Sequence, residues 1–219
     1  MGNNKINIEQ LLQAQKIGMA QFGAQLGNPK IDNLLQGGIH IEENFFPLNT
    51  YDEMVEEMGT TKMDSTYQPL GINYGNRMQA MPCYENAPFQ FKQDFIANKI
   101  EKILNAKLAN YRCLFRKIKT KELKKSHCNG KYGFIHRDKD NQGLENIKDL
   151  AAIMHFDQSF YGGTAFFRNI WEKVPDIYVS AFPNRLVIYD ACRWHAPAFD
   201  YSFEERTSLA FFLKVINES

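Results

Sequence analysis

The feature that most restricts this chain is a change of hydrophobic period at Tyr111. Before it, apolar residues recur at the spacing of helical faces; after it, they fall into short β-branched and aromatic runs that alternate. The alternating runs are 111–119, 134–138, 150–156, 164–168, 177–180, 186–189 and 206–215. Turn signals separate them, among them Asn129-Gly130, Gly162-Gly163 and Pro183-Asn184. Many short strands joined by tight turns build a sandwich or jelly roll rather than a parallel sheet with crossover helices. The order of helices first and strands second predicts an α+β chain with a mainly β core, its helices packed on one face of a mostly antiparallel sheet.

The helical part divides further. Ile8, Leu11, Leu12, Met19, Phe22 and Leu26 share one face of a predicted helix over 6–26, which Gly27-Asn28-Pro29 stops. Residues 39–46 alternate briefly like a strand, and Thr50-Tyr51-Asp52-Glu53 has the form of a capping box opening a short helix to about Met58. Residues 60–88 are rich in Gly, Asn, Pro, Tyr and Met without a sustained period, which predicts a long surface loop or lid. A second long helix is predicted from Phe91 to Leu108. The whole chain, 1–219, reads as one domain: a helical extension over 1–38, a helix- and loop-rich support over 39–110, and a β core over 111–219.

Composition excludes several function classes. With 44% hydrophobic and 13% aromatic residues the chain has ample material for a core, so disorder is excluded. Its 26 basic residues against 25 acidic ones leave a formal charge of +1, which argues against general nucleic-acid or membrane-surface binding. No apolar run reaches the roughly 18 residues of a membrane span, and the N-terminus lacks the apolar centre of a signal peptide, so a cytoplasmic protein is expected. Cys83, Cys113, Cys128 and Cys192 form no C-x-x-C pair, and reduced structural thiols are expected of them. The basic stretch 117–125 reads as a solvated strand pair and turn, and His127-Cys128 as a surface turn.

His136-Arg137-Asp138 sets an imidazole and a carboxylate two residues apart on a strand-like run. Alternation puts both on one face, where they can grip one divalent metal. An H-x-D triplet is common by chance, and its weight comes from His195 beyond a later strand and from Arg206 at the head of the last one.

Together these residues resemble the iron(II)- and 2-oxoglutarate-dependent oxygenase superfamily, in its prolyl-hydroxylase-like branch. The resemblance covers about Tyr111 to Val215: the H-x-D at His136 and Asp138, a Gly162-Gly163-Thr164-Ala165-Phe166 segment similar to the family's G-G-x-T-x-F strand, the distal His195, and an R-x-S at Arg206 and Ser208. It implies a double-stranded β-helix, a jelly roll whose mouth holds the metal on His136, Asp138 and His195. Two imidazoles and one carboxylate on one face of an octahedral ion leave room for a bidentate cosubstrate and dioxygen, which fits non-haem iron(II) better than closed zinc. Arg206 offers a planar fork for the distal carboxylate of 2-oxoglutarate, and Ser208 shares its strand face. His155 stands where relatives often have a Tyr that reaches the same carboxylate; it either donates that hydrogen bond or is a satisfied core histidine. Tyr132 either touches the cosubstrate or plugs the barrel.

The activity implied is hydroxylation of a C–H bond in an unidentified peptide or small molecule, with release of succinate and carbon dioxide. Two rivals stand beside it: a cupin-like metal-dependent jelly roll that does not use 2-oxoglutarate, and a non-catalytic jelly-roll binding protein. Substrate identity and oligomeric state are not legible in the sequence.

Overall fold

The structure, a computed structural model, describes residues 28–63, 84–122, 132–133, 135–143 and 147–216. The predicted helix over 6–26, most of the predicted loop over 60–88, the residues Cys83, His127 and Cys128, and the end of the basic stretch lie outside the described residues.

In chain order the elements are α1 (Pro29–Leu35), β1 (Ile39–Glu42), α2 (Leu48–Thr60), β2 (Tyr84–Pro88), α3 (Gln93–Leu104), β3 (Lys107–Lys119), β4 (Ile147–His155), β5 (Ser159–Phe167), β6 (Ile177–Ala181), β7 (Arg185–Asp190), β8 (Trp194–Ala198) and β9 (Glu205–Ile216). They form a six-stranded sheet in the order β1-β7-β4-β9-β3-β2 and a three-stranded sheet in the order β6-β5-β8. The two antiparallel sheets make a double-stranded β-helix, as expected, with the helices against the outer face of the larger one.

Alternation explains why the core strands read as almost unbroken apolar runs. Leu150, Ala152 and Met154 of β4 and Leu209, Phe211, Leu213 and Val215 of β9 pack with Ile31, Met54, Ile96 and Ile100 of the helices. The intervening Ala151 and Ile153 face the other way and meet Val187, Tyr189, Phe166 and Val179 between the sheets. The large sheet is therefore buried on both faces, and a one-residue slip would exchange its helix-facing and barrel-facing sets.

Several boundaries differ from the expectation. Asn28-Pro29, part of the predicted stop, is also the start of α1, whose first N–H groups, on Lys30 and Ile31, donate to the Asn28 side chain. β1 ends at Glu42 because Asn44 takes a left-handed φ of 52°. α2 begins at Leu48, ahead of the anticipated capping box, with Pro47 as its N-cap and Thr50 buried inside it. What sets that entry is Asn184, which accepts from the Phe46 N–H at 2.8 Å and donates back to the Phe46 carbonyl at 2.8 Å. β2 lies inside the stretch read as loop, and β8 went unpredicted because Pro197 interrupts the strand pattern. Tyr132 and His136 join the edge of β8 through isolated bridges to Ala198 and His195.

Candidate metal centre

The bridge at His136 does more than close the small sheet. Its N–H donates to the His195 carbonyl at 2.9 Å and its carbonyl accepts from the His195 N–H at 2.9 Å, so the two imidazoles leave neighbouring backbones on one side. Asp138, two residues on, swings its carboxylate under both rings. Asp138 Oδ1 lies 3.9 Å from His136 Nε2, and Oδ2 lies 3.5 Å from His195 Nε2. One ligand atom from each of the three residues falls within 4.8 Å of the other two. Cis donors at about 2.1 Å from an octahedral ion sit roughly 3 Å apart, so small side-chain movements suffice to close this set on a divalent metal.

The backbone also selects the tautomer of His195. His195 Nδ1 lies 2.9 Å from the Arg193 carbonyl, which can only accept, so Nδ1 carries the hydrogen and Nε2 keeps its lone pair toward the site. The Tyr189 hydroxyl sits 3.3 Å from that Nε2 and 3.5 Å from Asp138 Oδ2. Tyr189 is buried on β7 and its ring meets His195 at a centroid distance of 4.8 Å. The donor set fits iron(II): two imidazoles and one carboxylate, with the rest of the shell left open.

Deeper in the barrel the cavity of the triad, about 20 Å³ in volume, is lined by Arg206 and Arg116 as well as Thr164 and Pro197. Arg206, on β9, is 7% exposed and donates from Nη2 to the Gly163 carbonyl at 3.1 Å. Gly163 has a φ of +152°, and a Cβ there would run into the Val179 carbonyl oxygen, so only glycine brings this carbonyl so close to the neighbouring strand. Ser208 follows Arg206 on the same face, fully buried, with no hydrogen-bond partner for its Oγ among the described residues. Register sets Ser208 between Arg116 of β3 and His155 of β4 in one row across the large sheet. His155 is 1% exposed, its Nε2 3.3 Å from Thr164 Oγ1. Burial, and then the nearby Arg206 and Arg185, hold its pKa well below the usual imidazole value, so the ring is neutral.

Comparison with known proteins bears on what such a barrel is. No family model and no curated protein sequence matches the chain. Solved structures do. An oxidoreductase of the 2OG-Fe(II) oxygenase family from Burkholderia pseudomallei superposes on 84% of this chain and 87% of its own, with a TM-score of 0.53 and 9% identity. A Pseudomonas putida prolyl-4-hydroxylase covers 84% of this chain and 95% of its own, with a TM-score of 0.51 and 14% identity. A Trichoplax adhaerens prolyl hydroxylase, solved with a hypoxia inducible factor peptide fragment, covers 97% of this chain and 95% of its own, with a TM-score of 0.55 and 12% identity. The fold is that of the 2OG-Fe(II) oxygenases. At these identities the likeness is one of fold, and the chemistry has to be argued from the site.

Within this oxygenase fold the structure brings His136, Asp138, His195 and Arg206 to one cavity and sets Ser208 and His155 in the row beside it. Tyr132 is placed elsewhere. Its ring stands edge-on to Phe167 at 5.6 Å, in a cluster with Ala165, Ala196 and Trp194. Those residues alternate with Thr164, Phe166 and His195, which face the barrel, so Tyr132 covers the outer face of the small sheet and does not line the cavity of the triad. Arg193 is taken up by Asp176 at 2.9 Å and the Gly37 carbonyl. Arg116, Tyr189 and Thr164 are site residues that sequence reasoning did not assign; for Tyr189 and Arg116 the available signal was their place on the barrel-facing register of strands.

Proposed function

We propose that this chain is a non-haem iron(II)- and 2-oxoglutarate-dependent dioxygenase that hydroxylates a C–H bond of a peptide or small molecule. The observation that carries the proposal is the sharing of one buried cavity by the His136, Asp138 and His195 triad and the Arg206 guanidinium. His136, Asp138 and His195 would hold the metal. Bound iron(II) would supply the dioxygen chemistry that converts 2-oxoglutarate to succinate and carbon dioxide and oxidises the substrate.

The chain's own residues do the rest. Arg206 holds the distal carboxylate of 2-oxoglutarate by a two-pronged, charge-assisted contact, with Arg116 adding positive potential from the neighbouring strand. Ser208 donates its buried hydroxyl to the same carboxylate, and neutral His155 keeps Thr164 in place beside it. Ile153, Ala210 and Phe212 of the lining, with the Phe166 ring 6.3 Å from that of His195, make the surroundings apolar, which strengthens these ionic contacts and keeps water from the reacting atoms. A cytoplasmic location belongs to the proposal; among the described residues Cys113 and Cys192 form no disulfide. Among the described residues no helix is long and apolar enough to cross a membrane.

Titration of 2-oxoglutarate into the iron- or manganese-loaded protein without oxygen, followed by assay of succinate with oxygen, tests the reading. Micromolar binding and slow succinate release without added substrate are expected. A loaded protein that takes metal but not 2-oxoglutarate is a cupin-like jelly roll, and one that binds both without turnover under any substrate is a binding protein.

A further inference from the structure

A larger cavity, about 270 Å³, opens beside the triad at the end of the barrel opposite Arg206. Asp138 and Phe212 line both cavities, so whatever occupies the larger one lies against a metal ligand. β9 lays the sequence of positions out along one face: Arg206, Ser208, Ala210, Phe212 and Lys214 alternate toward the barrel side. At about 3.3 Å per residue the two charged ends are roughly 26 Å apart, too far for one 2-oxoglutarate to touch both.

The charge at this second end is local and built. Lys214 sits between Asn110 of β3 and Asp149 of β4 in the sheet register, and Arg112 sits beside Phe212, its Cζ 5.3 Å from the ring centroid. Lys139 comes in from the segment after Asp138, with Nζ 4.0 Å from Asp149 Oδ1. That segment is pinned: Gln142 accepts from the Asp149 N–H at 2.9 Å and donates to the Asp149 carbonyl at 3.0 Å, and the Lys139 N–H donates to the Ala191 carbonyl at 3.0 Å. The lining thus offers Arg112, Lys139 and Lys214 against Asp149 and Asp138, and Asp138 is turned to the metal site. On the barrel side Phe212, with Ala191 beside it, supplies the apolar part of the lining, and Phe212 also lines the cavity of the triad. A site with charge on its rim, an apolar wall and a metal ligand at its base orients a molecule by its charged end and presents its body to the metal.

We propose that this cavity is the substrate site and that it selects small molecules with an anionic end, carboxylate or phosphate, on a largely apolar body. The inference rests on the oxygenase reading for what happens at the base of the site. The volume lies just under the roughly 300–1,000 Å³ of ordinary ligand sites, which restricts the occupant to a small molecule.

The test uses three probes of one shape: 3-phenylpropionate, 2-phenylethyl phosphate and neutral 3-phenylpropionamide. Each is titrated into the manganese-loaded protein saturated with 2-oxoglutarate, without oxygen, and the relaxation of probe protons by manganese reports nearness to the metal. The anionic probes should bind at least tenfold more tightly than the amide, and whichever binds more tightly names carboxylate or phosphate as the group. Lys139→Gln with Lys214→Gln should abolish the preference, Lys139→Arg with Lys214→Arg should keep it, and 2-oxoglutarate affinity should stay within twofold in both. Equal binding of the amide, a preference that survives the Gln pair, or no relaxation of any probe overturns the proposal. Failure of the oxygenase reading shows separately, as wild type that takes no 2-oxoglutarate; the anion preference is then read from amide shifts of Lys139 and Lys214 in the metal-free protein, where its loss overturns the site as well.

Discussion

His136 and His195 are joined twice: their backbones exchange two hydrogen bonds of 2.9 Å, and their rings stand 4.3 Å apart between centroids. The ligand geometry is thus carried by main-chain pairing, which a side-chain change leaves in place. His136→Ala and His195→Ala should each abolish measurable iron binding while lowering the melting temperature by only a few degrees. Metal content of the purified variants, beside a thermal scan, checks this; wild-type occupancy in either would remove the residue from the ligand set. Asp138→Asn should act in the same way by removing the anionic ligand.

The phenol of Tyr189 reaches both His195 Nε2 and Asp138 Oδ2. Once a metal takes the Nε2 lone pair, Asp138 is left as the partner of that hydroxyl, so Tyr189 becomes the group that aims the carboxylate. Tyr189→Phe should weaken metal binding about 10-fold with little change in 2-oxoglutarate affinity measured at saturating metal. Competition with a chelator of known strength measures the first quantity, and unaltered metal affinity would make Tyr189 a packing residue.

Arg206 separates the proposed cosubstrate contact from metal binding. Arg206→Ala should raise the dissociation constant for 2-oxoglutarate by roughly 30-fold to several thousand-fold, the equivalent of about 2 to 5 kcal/mol, and leave iron affinity nearly unchanged. Arg206→Lys should recover part of the loss, because it restores charge without the planar fork. Anaerobic calorimetry on the manganese-loaded proteins decides it.

His155 makes stability depend on pH. Its folded-state pKa lies well below 6.5, so the unfolded chain takes up the proton first as the solution is acidified. The neutral ring contributes its full share of stability above about pH 6.5, and that share is lost on acidification by up to about 1.4 kcal/mol per pH unit. Asp157, two residues on and raised by burial, titrates in the opposite sense, so the comparison has to be made against a variant. Denaturant midpoints of His155→Gln should fall less steeply between pH 7 and pH 5 than those of wild type, and parallel curves would show that the ring is not the source.

Gly163→Ala tests the backbone under Arg206. The φ of +152° and the adjacent Val179 carbonyl leave no place for a methyl group, so a loss of at least about 2 kcal/mol in unfolding free energy is expected, with weaker 2-oxoglutarate binding in whatever folded protein remains. Chemical denaturation measures the first effect.

Much of this protein is written locally. The change of period at Tyr111, the H-x-D triplet, the Gly-Gly-Thr segment and the R-x-S at the head of β9 are short-range patterns, and each depends on side-chain alternation or on one backbone angle, so a linear reading finds them. What a linear reading misses is held in place from a distance. β8, which carries His195, is interrupted by Pro197 and exists because β5 on one side and Tyr132 and His136 on the other pair with it. The start of α2 is set by Asn184, far along the chain, rather than by its own capping box. Tyr132 could have faced either side of the small sheet, and the bridge to Ala198 turns it outward. Arg116, Tyr189, Arg112 and Lys214 have no motif of their own; register across β3, β9, β4 and β7 places them. Local propensity and patterning therefore determined which segments become strands and which side chains are available to ligate a metal, whereas pairing register, a long-range property with no short-range signature, decided which of them meet.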